Sequence, residues 1–142
     1  MLYVIAGRPG VGKSAYLNKM KTVYGNSMCV LAASDYPSHN ALLQEMAIRI
    51  QNERLDVIAV DEYEDSLIKQ WTGKVRHSEY KTNLQKLSAF AEHWNVDVYI
   101  VVGLKRKADQ KGAVPFSACH LRSKALLTVT DGIFFMRDMF PQ

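Results

Sequence analysis

The strongest constraint on this chain lies close to its N-terminus. Leu2-Tyr-Val-Ile-Ala6 is a short apolar run, β-branched and aromatic, and residues 7–14 follow it as Gly-Arg-Pro-Gly-Val-Gly-Lys-Ser. The run predicts a buried strand closed by Gly7. Beyond it Tyr16, Leu17 and Met20 fall at helical spacing, which predicts a helix from Lys13 to about Lys21. A strand that turns through several glycines into a helix points backbone N–H groups of the turn, and of the first helical turn, at one place. Such a nest with a helix dipole behind it favours an anion.

The spacing matches Gly-x-x-x-x-Gly-Lys-Ser at every fixed position, the pattern of a P-loop. It predicts a nucleotide-binding segment made of Gly7, Arg8, Pro9, Gly10, Val11, Gly12, Lys13 and Ser14. Lys13 is expected on the β- and γ-phosphates and Ser14 on magnesium, so ATP with Mg2+ is the expected ligand. The complement of such a loop is a strand ending in an acid. Asp56-Val-Ile-Ala-Val-Asp61 supplies one, and Asp61 is expected to hold the metal with Ser14. Glu62 is the favoured catalytic base beside Lys13, and Asp35, at the end of another strand, is its rival. Glu64 and Asp65 read as solvated acids at a helix start.

The remainder alternates in type. Met28–Ala33 reads as a strand broken by Ser34-Asp-Tyr-Pro37, and a helix is predicted from about Ser38 to Asn52. Trp71–Lys74 reads as a loop. Glu79–Trp94 is the clearest helix, with Tyr80, Leu84, Leu87, Ala91 and Trp94 at helical spacing. Val96–Val102 and Gly132–Met136 complete five strands, while Ala125–Thr130 suits either a helix or a strand. The pattern predicts an α/β fold of three layers: a mostly parallel five-stranded sheet with helices on both faces and ligands at the carboxyl ends of the strands.

Length and composition narrow the class. With 142 residues, 48% of them hydrophobic, one domain spanning 1–142 is expected. No apolar run is long enough to cross a membrane, and Cys29 and Cys119 read as free thiols, so a cytoplasmic protein is expected. His39, His77, His93 and His120 show no metal-ligand spacing and read as unrelated surface or half-buried residues. The net charge of +4 is concentrated: Lys105, Arg106, Lys107, Lys111, Arg122 and Lys124 stand against Asp109 alone between Lys105 and Lys124. A local basic stretch points to a polyanionic partner, and Gly112 and Pro115 make it a long loop.

Gly7-Arg8-Pro9 ahead of Gly12-Lys13-Ser14 resembles the P-loop of DnaB-type replicative helicases, within the RecA-like class. Asp35-Tyr36-Pro37 falls where that family has its strand-two acid, usually Glu, and Asp61 at its Walker B Asp. Phe90-Ala-Glu-His-Trp94, Asn95-Val-Asp-Val98, Pro115, Leu121-Arg122 and Arg137-Asp138 have counterparts at similar spacing. The resemblance implies a RecA-like ATPase whose Lys105, Arg106, Lys107 and Lys111 meet single-stranded DNA, with Arg122 joining them or serving a neighbour's nucleotide. It also implies self-association or pairing with another RecA-like subunit. Trp71 and Tyr80 are candidates for base stacking, against readings as a loop anchor and a core residue. Where the family carries a polar sensor, usually Gln, this chain has Gly103, and the sequence reaches Gln142 without the family's arginine-finger segment. A minimal RecA-like ATPase acting on or beside DNA, as a phage or mobile-element accessory factor, is therefore expected in place of a processive helicase.

Two alternatives stand beside it. Asp61-Glu62, Gly103-Leu104, Phe116 and Leu126-Leu127 resemble type II thymidine kinases, which implies a nucleoside kinase with Glu62 as base. That family's zinc-binding cysteines are missing, and Glu64 stands where it has Gln. The absent sensor and finger also fit a nucleotide-binding regulatory partner with little or no hydrolysis.

Overall fold

The computed structural model describes residues 1–7, 12–71, 77–104, 121 and 123–136. The strands are β1 (Leu2–Gly7), β2 (Met28–Ala32), β3 (Val57–Asp61), β4 (Asp97–Gly103) and β5 (Gly132–Phe135). They form one five-stranded sheet in the order β2-β3-β4-β1-β5. All four strand pairings are parallel. The interior strands β1, β3 and β4 are near-continuous apolar runs, as is the edge strand β2, because a strand with helices on both faces has no polar side to show. This is a three-layer α/β domain with a mostly parallel sheet flanked by helices.

The strand order explains which face each helix occupies. From β1 the chain crosses to the far edge at β2 through α1 (Lys13–Tyr24). It then returns through α2 (His39–Asn52), α3 (Tyr63–Asp65), α4 (His77–Trp94) and α5 (Ala125–Val129), and β4 leads over β1 to β5. Right-handed crossovers running in opposite directions must lie on opposite faces. Accordingly Leu17 of α1 packs with Ile5, Met28, Val57, Ala59 and Val101 on one face. On the other, Leu42, Met46, Leu84, Leu87 and Leu126 pack with Val4, Ile58, Val98 and Ile100.

Local signals set most helix ends. Ser38 caps α2, its Oγ accepting the Ala41 N–H at 3.1 Å. Asn95, at φ 53°, takes the left-handed turn that stops α4. Helix α1 runs past the expected Lys21 to Tyr24 and stops at Gly25, φ 63°. The ambiguous segment is helical over Ala125–Val129, since Ala125 and Leu126 are buried beneath α4. Trp71 ends a π-helical turn, Ser66–Trp71, and residues 72–74 of the expected loop lie outside the described residues.

Candidate functional site

The carboxyl ends of β1, β3 and β4 converge with the start of α1. Gly12, which caps α1, has φ 96° and ψ 31°, a left-handed conformation that glycine takes without strain. It offers no side-chain cap to the first turn of the helix. Lys13 Nζ donates to Gly7 O at 2.7 Å and lies 3.4 Å from Val102 O, so the lysine folds back over the ends of β1 and β4. Ser14 Oγ donates to Asp61 Oδ2 at 2.6 Å, joining the helix start to the end of β3.

The chain of hydrogen bonds continues. Asp61 Oδ1 accepts the Glu62 N–H at 2.9 Å, and Ser34 Oγ donates to Glu62 Oε2 at 2.6 Å. Glu62 is held at φ 58°, ψ 23°, a conformation that costs a residue with a Cβ about 1 kcal/mol or more. Behind it Tyr63 is buried, its hydroxyl 2.9 Å from His39 Nε2, and the rings of His39, Tyr63 and Trp71 meet edge to face. Trp71 Nε1 donates to Tyr36 O at 2.9 Å, which ties this group to the turn after β2. Burial, with Lys86 adding to it, pushes His39 down to about 4, and burial raises Tyr63 well above the ordinary phenol value. Both stay neutral near pH 7, so the charges at this end of the sheet are those of Lys13, the acids and their neighbours.

The expected site residues that can be located therefore fall together. Gly7, Gly12, Lys13, Ser14, Asp61 and Glu62 share the carboxyl end of the sheet, and exposed Asp35 follows Ser34 in the same short turn. Arg8, Pro9, Gly10 and Val11 lie outside the described residues, as do Lys105, Arg106, Lys107, Lys111 and Arg122, and also Cys119 and His120. Leu104 and Leu121, which flank most of the basic segment, are buried and form an antiparallel bridge just past β4.

Two expectations change, those for Glu64 and His39, and for Tyr80 the core reading holds over base stacking. Glu64 is buried and bonded, against the expectation of a solvated acid, because the turn after β3 carries it under α4. Tyr80 is a core residue whose hydroxyl binds Glu64, so it has no face for a base. His39 is buried, against the expectation of a surface or half-buried residue, since the first turn of α2 packs against Tyr63 and Trp71. Sequence reasoning also missed Ser34; serine in a turn is common, and nothing local marks this one.

No group of three or more His, Cys, Asp or Glu side chains among the described residues is placed to hold a metal. Magnesium does not require one: it takes one or two carboxylates together with substrate phosphates and water. A serine hydroxyl and an aspartate within 2.6 Å of each other are hard oxygen donors of that kind. No helix among the described residues is long and apolar enough to cross a membrane.

Fold and site together define a three-layer α/β domain of Rossmann-like topology with a polar cluster at the carboxyl ends of its central strands. Models of known protein families do not match the chain, and comparison with curated proteins finds no significant match.

Proposed function

We propose that this chain is a RecA-like P-loop ATPase that binds ATP with magnesium at residues 7–14 and works on or beside DNA. The observation that carries this is the 2.6 Å bond between Ser14 and Asp61, which lie 47 positions apart. A Gly-Lys-Ser helix start and a strand-terminal aspartate that meet in this way supply the hard oxygen donors a magnesium nucleotide needs.

Each residue has a task. Lys13 leaves the carbonyls of Gly7 and Val102 and neutralises phosphate oxygens, and the α1 N-terminus adds its dipole. Ser14 and Asp61 hold the metal. Magnesium, when bound, neutralises charge on the phosphates and keeps the γ-phosphate in line. Glu62, exposed and beside Asp61, orients the attacking water and takes its proton; Asp35 is the rival for this role. Support for a DNA partner is the basic segment, most of which is bracketed by Leu104 and Leu121 next to this end of the sheet.

The test is ATP hydrolysis by the pure protein with and without single-stranded DNA, at low and high salt, with Lys13→Ala as the blank. Salt-sensitive stimulation that disappears in the variant is the expected outcome. Absence of turnover in all conditions, with ATP still bound, would sink the ATPase.

One feature favours a second reading. A groove of about 510 Å³ beside Trp71 is lined by Ser78, Glu79, Thr82, Asn83 and Lys86, enough room for a small polar acceptor such as a nucleoside. Phosphorylation of added thymidine would identify the kinase; ATP binding with no turnover on either substrate would leave the regulatory partner.

A further inference from the structure

Glu64, three residues past Asp61, has no task in the scheme above, yet it is only 2% exposed. Its Oε2 accepts a short hydrogen bond from the Tyr80 hydroxyl of α4, and its Oε1 accepts the Gly103 N–H at 3.1 Å. That N–H belongs to the same peptide whose carbonyl, Val102 O, lies 3.4 Å from Lys13 Nζ. One peptide therefore stands between a lysine and a carboxylate, with its oxygen toward the cation and its hydrogen toward the anion. That orientation stabilises both charges, and it matters most where water is excluded. Gly7 O, which also accepts from the lysine, is on the strand residue in register with Gly103.

We propose that Glu64 is a positioning residue for Lys13: it fixes the Val102–Gly103 peptide with its carbonyl toward the ammonium and supplies negative charge behind it, parking the lysine over the ends of β1 and β4. An arriving anion must draw the ammonium away from these acceptors and also meets the repulsion of the buried carboxylate. A polyphosphate with magnesium overcomes both, and a single phosphate group does not. The parked lysine follows from the geometry alone; only the identity of the displacing ligand rests on the proposed ATPase.

The test uses Glu64→Gln, which keeps the shape and an oxygen for the Gly103 N–H but removes the charge. Two quantities are measured: the acylation rate of Lys13 in the nucleotide-free protein, by peptide mass spectrometry, and the affinity for magnesium ATP. With its ammonium held less firmly over the strand ends, Lys13 should acylate about threefold faster or more, and magnesium ATP should bind about fivefold tighter. Tyr80→Phe, which takes one donor from the same carboxylate and leaves its charge, should change either quantity by less than about twofold. A Glu64→Gln protein that melts cooperatively but shows an unchanged acylation rate, or weaker binding, overturns the proposal. So does Tyr80→Phe reproducing the full effect, because loosening of α4 would then be the cause. If Glu64→Gln loses its cooperative transition, Glu64→Asp replaces it: withdrawing the charge from the Gly103 N–H should raise the Lys13 rate, and an unchanged rate overturns the proposal. Faster acylation in a protein whose wild type binds no ATP would uphold the parked lysine and remove the ATPase instead.

Discussion

The two faces of the sheet are built differently. One is closed by α2, α4 and α5 over a core that runs from Leu2 to Leu126. Among the described residues the other has α1 alone, and Leu17 is the only buried residue of that helix. Beyond the reach of α1, Tyr3 and Tyr99 lie half-buried with ring centres 5.1 Å apart, and Phe134 stands 50% exposed beside them. What holds α1 is largely polar: Lys13 on Gly7 O, Ser14 on Asp61, and Lys21 on the carbonyls of Gly25 and Met28. The closed face thus supplies rigidity, while the helix that bears the proposed site is tied down by the side chains that would have to move when a ligand arrives.

The largest test of that contrast pairs two leucines, both with no exposed surface. Leu84→Ala on the closed face should lower global stability by about 3 kcal/mol, read by denaturant unfolding. Leu17→Ala should cost less globally, about 2 kcal/mol, but should speed amide exchange selectively in α1. Equal global losses with uniform exchange would erase the distinction between the faces.

Next in size is a pH effect on the closed face. Burial, then Lys86, lowers His39 from 6.5 to about 4. Between those values the unfolded chain takes up a proton that the folded chain refuses, so stability is fully present above pH 6.5 and declines as pH falls toward 4. The decline should reach about 3 kcal/mol and be absent in His39→Gln, by thermal melts across that range. A flat profile in the wild type would mean that the imidazole is not enclosed.

Two smaller effects sharpen the picture. Tyr63, anchored in the closed face, helps hold its neighbour Glu62 in the left-handed conformation. Glu62→Gly should therefore gain about 1 kcal/mol of stability while ATP turnover falls. On the open face Phe134→Ser should shift stability by no more than about 0.5 kcal/mol. A loss of several kcal/mol there would show that this face is covered in solution.

The order in which elements occur was legible because its causes are local. Apolar runs closed by a glycine mark β1 and β4, a run between two aspartates marks β3, the Tyr80–Leu84–Leu87–Ala91 stripe marks α4, and the Gly12-Lys13-Ser14 spacing marks the start of α1. Boundaries slipped where an end depends on a neighbour. Helix α1 continues to Tyr24 because Lys21 reaches across to Gly25 and Met28, and Ala125–Val129 is helical because α4 lies over it. Glu64 was misread because an acid three residues after a strand is usually solvated, and its partners Tyr80 and Gly103 lie 16 and 39 positions away.

By itself, then, the sequence determined the five strands, the helices α1, α2 and α4, and a glycine-lysine-serine turn at the end of the first strand. These follow from periodicity and from the conformational limits of single residues, which act over a few positions. Only the tertiary structure decided that β4 lies between β1 and β3, that Ser14 meets Asp61, and that Glu64 stands across one peptide from Lys13. Those contacts depend on which strands bury one another's faces, and that is settled by the whole set of crossovers acting together.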